Sequence, residues 1–334
     1  MASQHTLSAM SIDGVPVEEP RAPKLAIQGM SLTIGTRIIL DDIFMDIPAG
    51  KIVGLLGPNG SGKTSLMKCL TGLIRPDRGT VWLEGSAIGP ADRSLRATMG
   101  VVFQEPSLDN HLRANENLEL GARLFGLSRK EARRRAEELL HFVDLSDRAN
   151  DLTKTFSGGM RRRLELARAL IHKPSVLLLD EPTSGLDPVA FERVWQRLEA
   201  LRQNNELTLL VSTHRADEAA RCDQLVLLDR GHIIADETPE KLMQRVGNDI
   251  IEMEVANAES IVDEIDAELE IPCRVKDETH IEVEIEDAHQ KVPRLVEGFP
   301  DGTFHSIGVR RPTLADAFFH LTGHSLNGEA GNNQ

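Results

Sequence analysis

The chain contains a glycine-rich segment, residues 57–64, that fits the pattern Gly-x-x-x-x-Gly-Lys-Thr at every fixed position. An apolar run, residues 51–56, precedes the segment, and residues 65–70 have the spacing of a helix. A strand, a glycine-rich turn and a helix in this order are the context in which the pattern binds phosphate. We therefore interpret the segment as a phosphate-binding loop rather than as an ordinary turn. The predicted nucleotide-binding residues here are Gly57, Pro58, Asn59, Gly60, Ser61, Gly62, Lys63, Thr64 and Ser65.

The residue types of this loop suit a nucleoside triphosphate. Gly60 and Gly62 let the backbone turn without a side chain in the way, so that successive N–H groups can point at phosphate oxygens. The helix that follows adds its positive N-terminal end. Lys63 supplies a positive charge for the terminal phosphates, and Thr64 offers a hydroxyl to the Mg²⁺ ion that accompanies the nucleotide. The expected ligands are therefore ATP or GTP with Mg²⁺.

Length and charge limit the possible classes of protein. A chain of 334 residues has room for one large domain and a smaller one. It has no apolar run of roughly 18 residues, and residues 1–23 lack the pattern of a signal peptide, so we expect a cytoplasmic protein that contacts a membrane only through a partner. The net charge of -14 argues against general attraction to nucleic acid or anionic lipid. The three cysteines, Cys69, Cys222 and Cys273, have no metal-ligand spacing and are expected to be reduced and structural.

The order of strand and helix patterns predicts an α/β fold. Residues 1–23 lack periodicity and are expected to be disordered. Helices are predicted at 118–125 and 131–143, the second with Ser128 as its N-cap, and they belong to a helical insertion at about residues 105–173. The continuous apolar run at 176–179 is typical of a strand buried on both faces of a parallel sheet, and alternating helices and strands continue to residue 235. We predict a mostly parallel core sheet flanked by helices, within a domain at 24–246.

The pattern changes after residue 246. Apolar residues alternate with glutamates at 251–255 and 281–286, which is typical of strands with one wet face, and helices are predicted at 258–269 and 288–298. The order strand, helix, strand, strand, helix, strand predicts a small α+β domain at 247–324 of the split β-α-β, ferredoxin-like kind. A last helix at 314–321 closes it, and residues 325–334 are expected to form a loose tail. The acidic run at 249–287 is interpreted as a solvated face, whereas residues 129–135 and 161–163 form basic patches.

A second nucleotide signature lies at the end of the apolar run. Asp180 and Glu181 follow it directly, and an aspartate at the end of such a strand can hold Mg²⁺ beside the phosphates. Glu181 would face the attacking water as its general base. An acidic pair of this kind is often only a solvated turn or a helix cap, but the phosphate loop upstream favours the nucleotide site.

Further motifs resemble those of the ATP-binding cassette (ABC) transporter ATPases. Residues 156–170, FSGGMRRRLELARAL, look like the signature sequence of this family and stand just before Asp180. The other elements follow the family's order, with Gln104 in VVFQEP, Asp187 in SGLD and His214 in STH. The resemblance covers residues 24–245. It implies a phosphate-loop cassette with a parallel core sheet, an antiparallel β subdomain and a helical insertion.

The resemblance also implies a role for each element. Ser157, Gly158 and Gly159 open a helix whose N-terminus would bind the γ-phosphate held by a second copy, so that a homodimer encloses two ATP molecules. His214 would contact the γ-phosphate. Gln104 would reach the Mg²⁺ ion and the attacking water. Asp187 would link the two sites across the dimer.

Two positions depart from the family's common pattern. Ile34 stands where family members often stack an aromatic residue on adenine, and the chain contains no tyrosine. Met160 replaces the usual glutamine at the end of the signature. The chain resembles one branch of the family, which powers drug, nodulation-factor and polysaccharide exporters. It does so at Met160 and at residues 118–126 and 311–319.

Three functions are compatible with these residues. The first is the ATPase subunit of an ABC exporter, which drives a separate membrane-spanning permease. The second is a cassette ATPase acting in translation or on DNA, but such proteins usually carry two cassettes or long coiled coils, and each motif occurs once here. The third is a non-catalytic module, which the presence of Lys63, Asp180, Glu181 and His214 disfavours.

Overall fold

The computed structural model describes residues 23–88, 97–105, 107–205 and 207–326. Most of the two predicted tails, residues 1–22 and 327–334, lies outside them. The chain forms two compact units, one made of residues up to 214 with 222–236, and the other of 215–221 with the residues from 237 onward. The domain limits predicted from the sequence, 24–246 and 247–324, stay a prediction.

The first unit contains an antiparallel sheet, a mostly parallel sheet and a group of helices. Its strands are β1 Leu25–Ile34, β2 Arg37–Ile47, β3 Ile52–Leu56, β4 Arg78–Leu83, β5 Ser86–Ala87, β6 Met99–Val102, β7 Val176–Asp180, β8 Thr208–Thr213, β9 Gln224–Asp229 and β10 His232–Glu237. Its helices are α1 Lys63–Leu70, α2 Ala114–Leu124, α3 Arg129–Phe142, α4 Gly158–Ala169 and α5 Pro188–Asn205.

The central sheet has the strand order β10-β9-β3-β8-β7-β6 among the described residues. Strands β9, β3, β8, β7 and β6 pair in parallel. Every residue of β3, β7 and β8 is buried, as their continuous apolar runs predict. The second sheet, β2-β1-β4-β5, is antiparallel and shares an apolar core with α1 and the central sheet. The predicted α/β class is confirmed.

The predicted helical insertion is present, and its first helix, α2, is longer than predicted. Ser128 caps α3 by accepting a hydrogen bond from the Glu131 N–H, as predicted. Helix α2 starts at Ala114 rather than at 118 because buried Asn117 satisfies its polar atoms internally: its amide donates to the Thr153 hydroxyl (2.8 Å) and accepts from the Asp109 N–H (2.9 Å).

Two arginines of the basic patches serve the packing of α3 against α4. Arg135 of α3 donates to the carbonyl of Leu170 at the end of α4 (3.0 Å). Arg163 of α4 donates to the carbonyl of Val143 at the end of α3 (2.9 Å). Each helix therefore satisfies a C-terminal carbonyl of the other, an arrangement that both hydrogen bonding and the helix dipole favour.

The second unit contains a four-stranded antiparallel sheet with strand order β12-β13-β11-β14 among the described residues. Its elements in chain order are α6 Ala216–Ala219, α7 Pro239–Val246, β11 Asp249–Val255, α8 Ala258–Leu269, β12 Arg274–Val275, β13 His280–Ile285, α9 Ala288–Gly298, β14 Phe304–Arg310 and α10 Leu314–Thr322. A β-α-β-β-α-β order with this arrangement of strands is the ferredoxin-like topology predicted from the sequence. The apolar residues of β11 and β13 pack against α8 and α9.

The interpretation of the acidic run as a solvated face is wrong at Glu282, which is only 3% exposed. Its carboxylate accepts hydrogen bonds from Arg274, from Lys276 (2.6 Å) and from Arg310 (3.0 Å). The guanidinium of Arg310 also donates to Asp316 at the start of α10 (2.6 Å). A buried carboxylate is tolerated here because several cationic donors surround it.

This cluster predicts that the second unit loses stability in acid. Burial acts to raise the pKa of Glu282, but its bonds to Lys276, Arg274 and Arg310 outweigh burial and hold the pKa at about 2. A depressed folded-state pKa stabilises the fold above the ordinary value near 4.5, and this contribution, about 3 kcal/mol, is lost as pH falls from 4.5 towards 2. Hydrogen exchange of the full chain, corrected for intrinsic rates, gives the opening free energy of the β13 amides at pH 6 and at pH 3. The difference between these two values measures the lost contribution.

The matched variants are Glu282→Gln and, as a control, Glu278→Gln, whose side chain is exposed. Glu282→Gln is expected to lower the opening free energy at pH 6 and to flatten its dependence on pH, whereas Glu278→Gln should follow the wild type. Equal pH dependence in Glu282→Gln and the wild type would contradict the assignment.

Candidate functional site

The phosphate loop joins β3 to α1 along a path that requires glycine at two positions. A Cβ on Gly57 would lie 2.1 Å from the carbonyl oxygen of Leu228, so no larger residue fits there. Gly62 has φ 113° and its Cβ would lie 2.9 Å from the carbonyl oxygen of Ile39. The turn between them leaves Asn59 and Gly60 exposed, whereas Pro58 is buried. Ser65 is half-buried in the first turn of α1.

Lys63 folds back over this loop. Its ammonium group donates to the carbonyl oxygens of Gly57 (2.7 Å) and Pro58 (2.9 Å), and the residue is 5% exposed. Burial lowers the pKa of Lys63, and the nearby carboxylates of Glu181 and Asp180 act in the opposite direction. Ser61 Oγ is buried and has no hydrogen-bond partner within the described residues. A buried cation and an unpartnered hydroxyl in one loop fit the oxygens of an anionic phosphate chain.

Asp180 lies at the end of β7 and is 1% exposed. One carboxylate oxygen accepts from the Thr64 hydroxyl (2.9 Å) and the other accepts from the Ser212 hydroxyl. Hydroxyl and carboxylate oxygens are the ligands that Mg²⁺ prefers, so Thr64 and Asp180 fit the predicted metal site. No hydrogen bond between described residues joins Gln104, the third predicted ligand, to this pair; its amide donates to Glu181 instead.

The three predicted catalytic residues meet at the carboxylate of Glu181. The ring nitrogen Nδ1 of His214 lies 3.0 Å from Oε1, and the amide of Gln104 donates to Oε2 at 3.4 Å. Glu181 is 9% exposed and has φ 50°, a left-handed backbone conformation that costs about 1–3 kcal/mol in a residue with a side chain. Its N–H donates to the carbonyl of Ser212 (3.1 Å), which holds the strained turn at the end of β7.

The signature residues and Asp187 lie at the starts of two other helices. Ser157 caps α4 by accepting from the Met160 N–H (3.3 Å), and a Cβ on Gly158 would meet no atom within 4 Å. Asp187 caps α5, with one carboxylate oxygen accepting from the N–H groups of Val189 and Ala190, each at 3.0 Å. Within the part of the chain that the structure describes, no hydrogen bond or ion pair connects Ser157, Gly158, Gly159 or Asp187 to Lys63, Asp180 or Glu181.

Ser212 is a site residue that the sequence reasoning missed. It is fully buried in β8, where its Cα pairs with that of Asp180 in the parallel register. The available signal was a polar residue at the end of an otherwise apolar strand pattern, since the carboxyl ends of neighbouring parallel strands meet at one sheet edge.

Comparisons with known proteins identify relatives of this chain. The family model described as "ABC transporter" matches residues 40–184. A daunorubicin resistance ATP-binding protein of Streptomyces coeruleorubidus is 36% identical over 307 residues, which are 89% of this chain and 94% of the relative. A Nod factor export ATP-binding protein I of Burkholderia lata is 36% identical over 310 residues, 92% of this chain and 99% of the relative.

The solved structures include a dimeric ATP-binding cassette in a post-hydrolysis state, bound to ADP and Pi. It matches with a TM-score of 0.59 and 29% identity, over 64% of this chain and 98% of that one. The cassette likeness confirms the predicted class of fold, and relatives at 36% identity extend the match to nearly the whole chain. The chain therefore belongs to the ABC transporter family, as an ATP-binding subunit that hydrolyses ATP.

Proposed function

We propose that this chain is the ATPase subunit of an ABC exporter and that it energises a separate membrane-spanning permease by ATP-driven dimerisation and hydrolysis. The observation that carries the proposal is the carboxylate of Glu181, held between His214 and Gln104 beside the loop that contains Lys63. Relatives whose names refer to daunorubicin resistance and Nod factor export support the direction of transport.

In the proposed mechanism Glu181 is the general base. It accepts a proton from a water molecule as the water oxygen bonds to the γ-phosphorus of ATP, and the bond from that phosphorus to the bridging oxygen of ADP breaks. His214 and Gln104 orient the carboxylate, and the 11% exposure of the Glu181 side chain limits the access of other water. A proton acceptor in this position is worth about two to four powers of ten in rate.

Other residues of the site bind the substrate. Lys63 exchanges its two loop carbonyls for phosphate oxygens, and the N-terminal end of α1 would attract the same anion. Thr64 and Asp180 would hold the Mg²⁺ ion, which would neutralise charge on the phosphate oxygens when bound. Ser212 holds the second oxygen of Asp180 and so fixes the orientation of this carboxylate.

The second copy of the chain completes the site in this proposal. The N-terminus of α4 is exposed at Ser157 and Gly158, and both the helix dipole and its free N–H groups favour an anion there. Ser157, Gly158 and Gly159 would bind the γ-phosphate held by Lys63 of the other copy, and Asp187 would lie at the same interface. The dimeric state of the solved cassette with ADP and Pi supports this arrangement.

The permease is the second proposed partner. No helix among the described residues has both the length and the apolar character needed to cross a bilayer. We place the chain at the inner face of the cell membrane, where the permease would hold it. Ile34 is not aromatic, so recognition of the base depends on groups outside the phosphate site. The identity of the exported substrate also depends on groups outside this site.

Fractionation tests the exporter proposal. Cells express the full chain with or without a candidate permease, a separate membrane-spanning protein, and washed membranes and ribosomes are collected separately. We expect the chain to be recovered with membranes only when the membrane protein is present. The surface variant Glu137→Gln, whose side chain is 67% exposed, is the control and should behave like the wild type. Recovery with ribosomes or DNA, independent of the membrane protein, would contradict the exporter proposal and favour the second candidate, a cassette ATPase of translation or DNA.

A further inference from the structure

The loop that carries Gln104 is fixed by side chains of α4. Gln104 itself is exposed and lies between β6 and α2, outside any helix or strand. The guanidinium of Arg162 donates to the carbonyl of Phe103, immediately before Gln104. Three residues after Gln104, the N–H of Ser107 donates to the carboxylate of Glu165 at 2.7 Å. Arg168 donates to the carbonyl of Ser107 at 2.6 Å and to its hydroxyl. The loop is therefore bound on both sides of Gln104 by one helix.

Arg162 also binds the backbone on both sides of Glu181. Its guanidinium donates to the carbonyl of Asp180 and, at 3.2 Å, to the carbonyl of Pro182. Glu181 lies between these two carbonyls in its left-handed conformation with φ 50°. A strained turn of this kind persists only where the surroundings hold it, and these bonds provide that support. One guanidinium thus contacts the backbone beside both Gln104 and Glu181, the two residues whose side chains meet at 3.4 Å.

Glu165 sets the position of that guanidinium. It is 4% exposed, and its carboxylate lies 3.3 Å from Arg162 Nη1, one turn away on the same face of α4. Burying a carboxylate is costly unless it is paired and hydrogen-bonded, and Glu165 meets both conditions with Arg162 and the Ser107 N–H. Removal of its charge would weaken the ion pair that directs Arg162 towards the three carbonyls.

We propose that Glu165 and Arg162 are positioning residues for ATP hydrolysis, which fix Gln104 and Glu181 relative to each other and to the N-terminus of α4. The inference rests on the proposed function, because it assumes that Glu181 activates the attacking water. Helix α4 begins at Gly158, so the group that would bind the nucleotide of a second copy and the pair that holds the catalytic side chains belong to one rigid element. A shift of α4 on dimerisation would therefore move Gln104 and Glu181 together.

The test uses Glu165→Gln, which keeps the shape of the side chain and its ability to accept from Ser107. We expect kcat for ATP hydrolysis to fall about tenfold to a hundredfold, because small misplacement of reacting groups has effects of that size, whereas KM for ATP and the dissociation constant of ATP stay within about twofold. The matched control is Glu137→Gln on α3, with an expected kcat equal to that of the wild type.

A double-variant cycle separates positioning from general damage. When Gln104→Ala is combined with Glu165→Gln, the loss in kcat should be clearly smaller than the product of the two single losses, since both changes disturb the same contact. The inference would be overturned if the double variant lost kcat by the full product of the two single losses. It would also be overturned if kcat for Glu165→Gln stayed within about twofold of the wild type. If Glu165→Gln is unfolded at the assay temperature, Arg162→Lys provides the same measurements, because it keeps the charge but cannot reach the three carbonyls at once.

The outcomes also distinguish this inference from the proposed function. If Glu181→Gln abolishes hydrolysis and Glu165→Gln does not affect it, only the positioning role fails. If Glu181→Gln hydrolyses ATP at the wild-type rate, the base assignment fails first, and with it the basis of the inference.

Discussion

Substitution of Glu181 by glutamine is expected to lower the steady-state rate of ATP hydrolysis by about two to four powers of ten while leaving ATP binding intact. The amide has nearly the same shape as the carboxylate and can still contact His214 and Gln104, which lie 3.0 Å and 3.4 Å from its oxygens in the wild type. It cannot accept a proton from water. Phosphate release gives the rate, and ATP binding to the variant is measured separately by titration.

The same variant should accumulate a dimer in ATP. Because bound ATP joins the two copies in the proposed site and is no longer hydrolysed, size-exclusion chromatography with ATP and Mg²⁺ should show a species of twice the monomer mass, which ADP does not produce. Glu137→Gln on the surface of α3 is the control and should turn over normally. Wild-type turnover by Glu181→Gln would remove this residue from the role of base.

Two further substitutions, one in each half of the proposed site, should each inactivate the enzyme. Lys63→Ala removes the cation that is folded over the loop, and loss of charged hydrogen bonds of this kind weakens ATP binding by about tenfold to a hundredfold. Gly158→Asp places a carboxylate at the exposed start of α4, where a Cβ has free space, so the fold is retained but a phosphate is repelled. Because Lys63 also stabilises charge on the transferring phosphoryl group, each variant alone should show negligible hydrolysis, whereas the control Arg133→Ala, 75% exposed, should not.

Much of this fold could be predicted because its signals are local. Strands β3 and β7 are continuous apolar runs, and the alternation in β11 and β13 indicates one buried face. The loop at 57–64 is recognisable because Gly57 and Gly62 have no acceptable substitute in that path. Ser128 is recognisable as a cap because its only requirement is a nearby N–H, here that of Glu131.

The residues that could not be predicted depend on contacts between distant parts of the chain. Glu282 has the period of a wet strand face, yet Arg310, 28 positions further on, donates to it and also binds Asp316, 34 positions from Glu282. Arg162 lies in a basic patch and Glu165 in the signature motif, and neither pattern indicates that their partners lie at 103, 107, 180 and 182. Periodicity identifies the face of a helix or strand, and it carries no information on what packs against that face.

The residues of the candidate site form two groups. One group comes together within one copy: Lys63, Thr64, Asp180, Glu181, His214 and Gln104. Ser157, Gly158, Gly159 and Asp187 have no bond to that group in the same copy among the described residues and only cap the starts of α4 and α5. We infer that these two half-sites meet between two copies.

Mixing the two inactive variants shows whether the two half-sites meet between two copies. In a dimer of Lys63→Ala with Gly158→Asp, one site combines both defects, and the other combines an intact Lys63 with an intact Gly158. Random pairing of equal amounts should therefore restore hydrolysis to about a quarter of the wild-type rate, since about half of the dimers are mixed and each has one intact site of two. Phosphate release measured before and after mixing gives the answer. We predict recovery on mixing; a mixture as inactive as its separate components would contradict a site shared between two copies.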